Sequence, residues 1–149
     1  ISETMNCEEL FEKISDLSPK LLEKTLKGLV SKEITPTPQG EDGVCMANKL
    51  TKEETLIDWN NSATSVHNLV RGIYKFPCAY FMHDGKIIKV LETKVLDQTS
   101  TGNIGQITKA SKDGVEIACK EGSILLIKVK PEGKGEMFAR DWYNGLKNR

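Results

Sequence analysis

Few residues of this chain have the types and spacing that catalysis requires. His67 is followed by Asn68, and Arg71 lies one helical turn further along, so this trio is a candidate anion site. The same pattern is typical of a histidine that is capped or lies at the edge of a core, and we favour that interpretation. His83 stands just before a predicted turn and is interpreted as an exposed loop residue. Neither histidine belongs to a recognisable Ser-His-Asp or Cys-His arrangement, so nucleophilic catalysis is not predicted.

Two other motifs match catalytic or phosphate-binding patterns only in part. The carboxylates Glu53 and Glu54 are adjacent and would point to different faces of a helix, and Glu54 completes a capping box with Thr51. The segment 131–135, Pro-Glu-Gly-Lys-Gly, lacks the G-x-x-x-x-G-K-S/T spacing of a phosphate-binding loop. We interpret it as a turn that offers one lysine, Lys134, to a phosphate. No catalytic residue is therefore predicted in this chain.

The composition predicts a globular chain with reduced thiols and no metal site. The 149 residues are 38% hydrophobic, which is enough for one ordinary core. The apolar runs are far shorter than the roughly 20 residues that a membrane span needs. Two histidines and four scattered cysteines offer no paired metal-ligand spacing. The cysteines are Cys7, Cys45, Cys78 and Cys119. We expect a cytoplasmic monomer that does not enter a membrane.

The distribution of charge is the remaining chemical feature. The formal net charge is zero, yet residues 1–48 hold 5 basic against 9 acidic residues, and residues 49–149 hold 16 against 12. This excess is a weak sign of nucleic-acid binding, because most mixed-charge surfaces are simply solvated. In a strand, Lys128 and Lys130 would share one face and form part of a positive stripe. The candidate RNA-binding residues are Lys49, Lys52, Arg71, Lys75, Lys128, Lys130 and Lys134.

The first part of the chain has the pattern of one or two amphipathic helices followed by a linker. From Cys7 to Val30 apolar residues recur at helical spacing, with Asn6 as a cap and Pro19 as a predicted break. One helix cannot bury its own apolar face, so we expect it to pack on a sheet that precedes Ile1 in a longer protein. Residues 34–48, which include Thr-Pro-Thr-Pro, predict an extended linker.

The rest of the chain predicts a small β-rich domain. A second helix is expected from Ser62 to Ile73, and a closing helix from Phe138 to Leu146. The predicted strands are Cys78–Met82, Lys86–Leu96, Ile104–Ala110, Val115–Cys119 and Ile124–Val129. The predicted turns are Asp84-Gly85, Thr101-Gly102-Asn103, Asp113-Gly114 and Glu121-Gly122. Short strands at near-regular spacing favour an α+β, mostly β fold, a small antiparallel Greek-key barrel.

Several segments of the chain form an ordered set of recognisable motifs. They are Lys49-Leu-Thr-Lys-Glu-Glu-Thr-Leu-Ile-Asp-Trp59, His67-Asn-Leu-Val-Arg-Gly72, Phe76-Pro-Cys-Ala-Tyr80, Asp84-Gly-Lys86, Pro131-Glu-Gly-Lys134, Met137 and Asp141-Trp-Tyr-Asn-Gly145. Their order and spacing resemble the carboxy-terminal half of the methionyl-tRNA formyltransferase family. One such block would be weak, whereas several in order are specific. The resemblance covers essentially the whole chain.

This resemblance implies a two-domain enzyme of which the chain is the second part. In the family, an upstream Rossmann-like domain carries the catalytic Asn, His and Asp, and a barrel similar to an OB fold helps to position initiator methionyl-tRNA. The full enzyme transfers a formyl group from 10-formyltetrahydrofolate to the amino group of that tRNA. Residues 1–33 would be the last helices of the catalytic domain, 34–48 the linker, and 49–149 the tRNA-binding domain, with Lys49 and Lys52 near the acceptor arm. The chain alone should hold no cofactor and be inactive.

The chain departs from the family pattern at two places. Residues 74–78 are Tyr-Lys-Phe-Pro-Cys where the family usually has Asn-Pro-Trp-Pro-Gly, which is expected to alter the packing of a turn. Gly135-Glu136 stands where the family has further basic residues, which weakens the case for a phosphate contact there. Two alternatives stay open: the domain of a sugar-nucleotide formyltransferase, which needs no basic RNA surface, and a structural platform that touches no substrate.

Overall fold

The computed structural model describes residues 1–96 and 102–147. The helices in this described part are α1 (Cys7–Val30), α2 (Ala63–Gly72), α3 (Ala139–Lys147) and a short 3-10 helix (Glu53–Thr55). The strands are β1 (Tyr80–His83), β2 (Lys86–Leu96), β3 (Ile107–Ser111), β4 (Gly114–Ala118), β5 (Ser123–Pro131) and β6 (Met137–Phe138). The chain divides into two units, Ile1–Leu50 and Thr51–Arg149. No helix in the described ranges is both long and apolar enough to cross a membrane.

The first unit is built on α1, which is one continuous helix. Its start is fixed by a capping box, because Asn6 accepts from the Glu9 N–H at 3.0 Å and Glu9 accepts from the Asn6 N–H at 3.1 Å. The cap is as predicted, but the predicted break at Pro19 is wrong, since that residue lies inside the helix. A proline removes one helical hydrogen bond, and in an exposed helix water can hydrate the carbonyl that this frees.

The apolar side of α1 is exposed within the described chain. Five large apolar side chains along the helix are each between 53% and 68% exposed. They are Phe11, Leu17, Leu21, Leu22 and Leu26. Residues 35–50, which follow the helix, contain no helix or strand and are exposed. The stripe predicted from the sequence is therefore present, and it is not covered by other residues of its own unit.

The second unit contains an antiparallel sheet in the order β1-β2-β5-β4-β3, with β6 added to β5. The predicted α+β class is confirmed. The sheet is unclosed, because its edge strands β1 and β3 do not pair with each other among the described strands. The barrel form of the prediction is therefore not confirmed.

The long β2–β5 pair forms the centre of the sheet and of the core. It runs from Ile88 opposite Pro131 to Leu96 opposite Ser123, with irregular register on either side of Glu92. Such bulges bend a strand and increase its twist. Both helices of this unit pack on one face, where they bury apolar side chains against the sheet. The core includes Val66, Val70, Ile88, Val90, Ile124, Leu126, Val129 and Trp142.

Of the five predicted strands, β2 has the predicted bounds and the other four differ by up to three residues, two of them at their start for a local backbone reason. Strand β1 starts two residues late because Cys78 has a φ of 78°, which a strand cannot accommodate. Strand β3 starts at Ile107 because a turn precedes it, in which the Gln106 N–H donates to the Asn103 carbonyl at 2.9 Å. Strand β6 was not predicted, because its two residues are too few to give a periodic pattern. The predicted turn at Asp84-Gly85 is confirmed, with a φ of 48° at Asp84 and 74° at Gly85.

The predicted turn at residues 101–103 is described only in part. Thr101 lies outside the described residues. The second helix and the closing helix are confirmed to within one residue at each end, and Ser62 caps α2 by accepting from the Ser65 N–H at 3.1 Å. Hydrophobic periodicity and caps therefore located the helices well.

A glycine at the start of β4 gives a test of the sheet packing. Gly114 has a φ of 152°, and an added methyl group would overlap the carbonyl oxygen of Leu126 on β5. We predict that Gly114→Ala lowers the free energy of unfolding by about 1–3 kcal/mol, as overpacking does. The matched control is Gly145→Ala in α3, where the space is open and the change should raise stability by up to about 1 kcal/mol. Urea unfolding followed by circular dichroism measures both, and equal stability of the two variants would contradict the packing described.

Candidate nucleic-acid interface

The outer face of β2 and β5 carries a row of exposed lysines, Lys89, Lys128 and Lys130, which we call the lysine row. In the register of the two strands, Lys130 lies opposite Lys89, and Lys128 lies opposite Glu92. Val129, between the two lysines of β5, is fully buried in the core. As predicted, Lys128 and Lys130 therefore project together into solvent on the face opposite the core.

The positive charges of the lysine row are neutralised unequally. The Lys128 ammonium lies 3.4 Å from a carboxylate oxygen of Glu92, in an ion pair whose partners are both about half exposed. Such surface pairs are worth about 0–1 kcal/mol. Lys89 and Lys130 instead face each other across the strands, and like charges in directly opposed positions repel. This repulsion does not stabilise the fold. An anion such as a phosphate, bound between the two ammonium groups, would relieve it.

Aromatic side chains flank the lysine row on neighbouring strands. Tyr80 of β1 is the register partner of Lys89, and Phe138 of β6 is the partner of Lys128. The Arg140 guanidinium lies 5.0 Å from the centroid of the Phe138 ring, within cation–π range. Cationic groups interleaved with aromatic rings are typical of surfaces that bind nucleic-acid strands.

The turn before β1 is attached by Cys78 to strand β2, one residue after Lys89. This residue is 1% exposed, its N–H donates to the Ile73 carbonyl at 3.0 Å, and its thiol donates to the Val90 carbonyl at 3.4 Å. Lys75 and Cys78 both have left-handed backbone angles, with φ of 61° and 78°, and the Phe76–Pro77 peptide bond is cis. Left-handed residues other than glycine cost about 1–3 kcal/mol each and persist only where the surroundings hold them.

The pKa of the Cys78 thiol is influenced by burial and by charged residues. Burial raises the pKa of the Cys78 thiol, Glu136 raises it further, and Lys89 and Lys130 oppose the shift. A backbone hydrogen bond from Lys75 also opposes it. These effects agree with the hydrogen bond of Cys78 to Val90, which places the turn next to Lys89 in β2.

The other candidate residues from the sequence lie on different elements. Arg71 is on α2 and donates from Nε to the Asn68 amide oxygen at 2.8 Å. The Lys75 ammonium lies 5.2 Å from the centroid of the Tyr74 ring. Lys134 follows β5 and lines a cavity of about 170 Å³ together with His83, Asp84, Lys86 and Trp142.

The two lysines nearest the unit boundary belong to different units. Lys49 is an exposed residue of the first unit, and Lys52 is an exposed residue of the second unit just ahead of the 3-10 helix. Among the seven candidates, the structure therefore brings together Lys128 and Lys130 on one face, and it places Lys75 on the turn that precedes β1.

Lys89, Tyr80 and Phe138 were not among the candidate residues from the sequence. They join the interface only through strand pairing, which the sequence does not display. The irregular register of β2 near Glu92 makes this pairing especially hard to infer, because a one-residue slip moves every later side chain to the other face. The sequence offered only part of this signal, because Lys128 and Lys130 alternate within β5 whereas the lysines of β2 are at 86, 89 and 94, three and five residues apart.

The two histidines have structural contacts. The His67 Nδ1 lies 2.8 Å from the Thr93 hydroxyl and ties α2 to β2, which agrees with the predicted position at the edge of the core. The prediction of an exposed loop residue at His83 is wrong. Its ring packs edge-on against Trp142, with centroids 5.2 Å apart, because α3 returns over the end of β1.

The acidic pair near the unit boundary serves a local structural purpose. The predicted hydrogen bonds between Thr51 and Glu54 are present, since the Glu54 carboxylate accepts from the Thr51 N–H at 2.7 Å and the Thr51 hydroxyl accepts from the Glu54 N–H at 3.4 Å. The N-cap of the 3-10 helix is Lys52 rather than the predicted Thr51, and it has no side-chain cap. Backbone and Thr51 hydrogen bonds hold the pKa of Glu53 below its ordinary value, so this carboxylate is anionic near neutral pH and is poorly suited to act as a general acid. Within the described residues there is no cluster of three or more His, Cys, Asp or Glu side chains that could hold a metal ion.

The second unit also matches a known protein family. The model of the formyl transferase C-terminal domain family matches residues 49–147, which is about two thirds of the chain. The chain belongs to this family. Its formyl transferase C-terminal domain therefore includes the sheet, the lysine row, α2 and α3.

Curated relatives extend the similarity over nearly the whole chain. Methionyl-tRNA formyltransferase of Enterococcus faecalis is 37% identical over 138 residues, which cover 92% of this chain and 44% of that protein. The Lactococcus lactis enzyme of the same name is 37% identical over 148 residues, covering 98% and 46%. That of Clostridium novyi is 32% identical over 145 residues, covering 97% and 47%. The chain thus spans a little under half of the length of these relatives.

Solved structures of HypX from Aquifex aeolicus share the fold. One HypX variant superposes with a TM-score of 0.74 at 14% identity, covering 99% of this chain and 26% of that one. HypX in complex with tetrahydrofolic acid gives a TM-score of 0.63 at 17% identity, covering 83% and 22%. At this level of identity, the likeness concerns the fold alone.

The cysteines provide a test of the turn before β1 by the accessibility of their thiols. Burial raises the pKa of Cys119 to about 11 and raises that of Cys78. At pH 8 both buried thiols are protonated and therefore unreactive. We predict that Ellman's reagent labels the exposed Cys45 in native protein, whereas Cys78 and Cys119 react only after unfolding in guanidinium chloride. The Cys45→Ser variant is the control, and labelling of native Cys78 as fast as Cys45 would contradict the anchored turn.

Proposed function

We propose that the formyl transferase C-terminal domain of this chain positions initiator methionyl-tRNA for a catalytic domain that precedes it in a longer protein. The observation that carries this proposal is the pairing of Lys89 with Lys130 on the outer face of the sheet. Folding gains nothing from opposing two cations, whereas a phosphate backbone would bind both. The names of the curated relatives support a tRNA as the partner rather than a sugar nucleotide.

The reaction proposed for the whole protein is formyl transfer from 10-formyltetrahydrofolate to the amino group of initiator methionyl-tRNA. The relatives named methionyl-tRNA formyltransferase support the acceptor, and the HypX complex with tetrahydrofolic acid supports a folate as co-substrate. In this proposal the chain positions the tRNA, and the catalytic residues lie in another domain of the same translation-initiation enzyme. We propose that the chain binds no cofactor and does not transfer formyl groups by itself.

The geometry supports a contact to the phosphate backbone that does not depend on the base sequence of the RNA. Lysine ammonium groups are flexible point charges that bind phosphate without reading bases, and such contacts fix the register and orientation of a nucleic acid. The lysine row lies on a sheet whose other face is held by the core, so its Cα positions are well defined. Lys75 extends the positive surface at the turn, while the candidates Lys49, Lys52, Arg71 and Lys134 are proposed as weaker, peripheral contacts.

The first unit has a different proposed role. We propose that residues 1–33 complete the Rossmann-like catalytic domain, that 34–48 form a linker, and that 49–149 form the tRNA-binding domain. The exposed apolar side of α1 supports this, because such a stripe needs a partner surface and the relatives are about twice as long as this chain. The bulges that bend β2 agree with the proposed likeness to an OB fold. We place the protein in the cytoplasm as a monomer.

The proposal predicts that the facing lysines control the salt dependence of tRNA binding. Removing one lysine–phosphate ion pair should reduce the slope of log K against log salt by about 0.7–0.9, because one fewer counterion is released on binding. The double variant Lys89→Ala/Lys130→Ala should therefore bind initiator tRNA more weakly, with a slope smaller by about 1.5. Fluorescence anisotropy with labelled tRNA over about 50–200 mM salt measures this. The matched control is Lys109→Ala, an exposed lysine of the edge strand β3 opposite Glu116.

Two results would count against this function. Binding that is absent or independent of salt would favour a structural platform. Equal weakening by the double variant and by Lys109→Ala would favour a protein that has no RNA surface, such as a sugar-nucleotide formyltransferase.

The ion pair in the row gives a prediction of opposite sign. Glu92→Gln removes the carboxylate that neutralises Lys128 and keeps the shape of the side chain. We predict tighter tRNA binding, by about twofold to fivefold at low salt, because a surface charge pair is worth up to about 1 kcal/mol and a negative charge is removed from the proposed interface. The same anisotropy titration measures it, with Glu116→Gln on β4 as the control. Weaker binding by Glu92→Gln would contradict a phosphate contact at Lys128.

A further inference from the structure

Phe76 is the most exposed aromatic side chain in the described part of the chain. It is 87% exposed, whereas Phe81 and Trp142 are buried in the core and Phe138 is about half exposed under Arg140. Large aromatic side chains normally bury most of their surface, because this is where their favourable free energy arises. The ring of Phe76 is therefore not used by the fold of its own unit.

The backbone around Phe76 is held in an unusual conformation. Lys75 before it and Cys78 two residues after it are both left-handed, and Cys78 is locked by hydrogen bonds to Ile73 and Val90. The turn is thus fastened to β2 rather than free in solvent. Strained backbone that the surroundings hold in place is found preferentially where a side chain must be presented to a ligand. A ring presented this way loses little conformational entropy on binding.

Cationic residues lie on the elements that hold Phe76. Lys75 is its neighbour in the chain, and the Cys78 thiol donates to the carbonyl of Val90, the residue after Lys89. Lys89 lies opposite Lys130 in the strand register. Lys89, Lys130 and the acidic Glu136 also influence the pKa of the Cys78 thiol. An apolar protein partner would have to desolvate these ammonium groups, whereas a polyanion would be attracted to them. An aromatic ring beside cations is the combination that stacks a base while holding its backbone.

We propose that Phe76 stacks on an unpaired nucleobase of the RNA whose phosphates the lysine row binds. This inference rests on the proposed function and adds a base contact to the phosphate contacts. Because every base has a π face, the contact would tolerate sequence but require a base that is not paired in a helix. Phe76 would then distinguish folded tRNA, which has unpaired bases, from a continuous duplex.

The test uses Phe76→Ala in the full chain, with unacylated initiator tRNA and a fully paired RNA duplex as probes. We expect tRNA binding to weaken about tenfold, which is the effect of removing the stacking of one base, while duplex binding stays unchanged. Phe76→Trp should restore tRNA binding, and Phe76→Leu should behave like Phe76→Ala because it lacks a π face. The control is Ile104→Ala, which also removes an exposed apolar side chain.

The salt series separates this proposal from the proposed function. Phe76→Ala should leave the slope of log K against log salt unchanged, because every lysine that binds phosphate is still present. Parent-like tRNA affinity of Phe76→Ala, or equal weakening on the duplex, overturns the stacking proposal while salt-sensitive binding by the parent chain still supports the function. If the parent chain itself fails to bind tRNA, both proposals fall. Phe76→Trp that binds no better than Phe76→Leu also overturns stacking.

Discussion

The antiparallel pairing of β2 with β5 is the constraint on which the rest of the second unit depends. It places Ile88, Val90, Leu126 and Val129 on one face, where they form the core with α2 and α3. The same register places Lys89 against Lys130 on the other face. One set of backbone hydrogen bonds therefore fixes both the hydrophobic interior and the spacing of the positive surface. A slip of one residue would exchange the two faces, so the burial of the core also fixes the position of the lysines.

The turn before β1 shows how this register extends beyond the strands. The Cys78 thiol reaches the carbonyl of Val90 on β2, and so the turn is tied to the same strand that carries Lys89. Where the family pattern has glycine, this chain holds a buried side chain in a left-handed conformation. The departure from the family pattern at residues 74–78 was expected to alter the packing of this turn. It includes Cys78, the residue that anchors the turn to β2. Glu136, the second departure, adds a negative charge near the same residue.

The sequence predicted those features that depend on neighbours along the chain. The caps at Asn6 and at the start of α2 are set within three or four residues, and so are the hydrogen bonds between Thr51 and Glu54 and the turn at Asp84-Gly85. Alternation within β5 likewise predicted that Lys128 and Lys130 share a face. These features could be inferred because their physical causes are local.

Features that depend on pairing between distant segments were not predicted. Lys89 joins Lys130 only across the strands, and His83 meets Trp142 only because α3 returns over β1. Pro19 misled because the rule against proline in helices weakens where solvent can hydrate the helix backbone. The Phe76 turn was recognised as a departure from a pattern, but its exposed ring and anchored backbone follow from tertiary hydrogen bonds.

Nuclear magnetic resonance can map the residues of this chain that contact RNA. Backbone amide shifts would be followed while unlabelled initiator tRNA is added to ¹⁵N-labelled protein. If the lysine row and the turn before β1 bind tRNA, the largest changes fall at Tyr80, Lys89, Lys130 and residues 74–76 and 78, and these changes fade as salt is raised. Changes concentrated on β3 and β4, or none that depend on salt, would contradict tRNA binding at the lysine row.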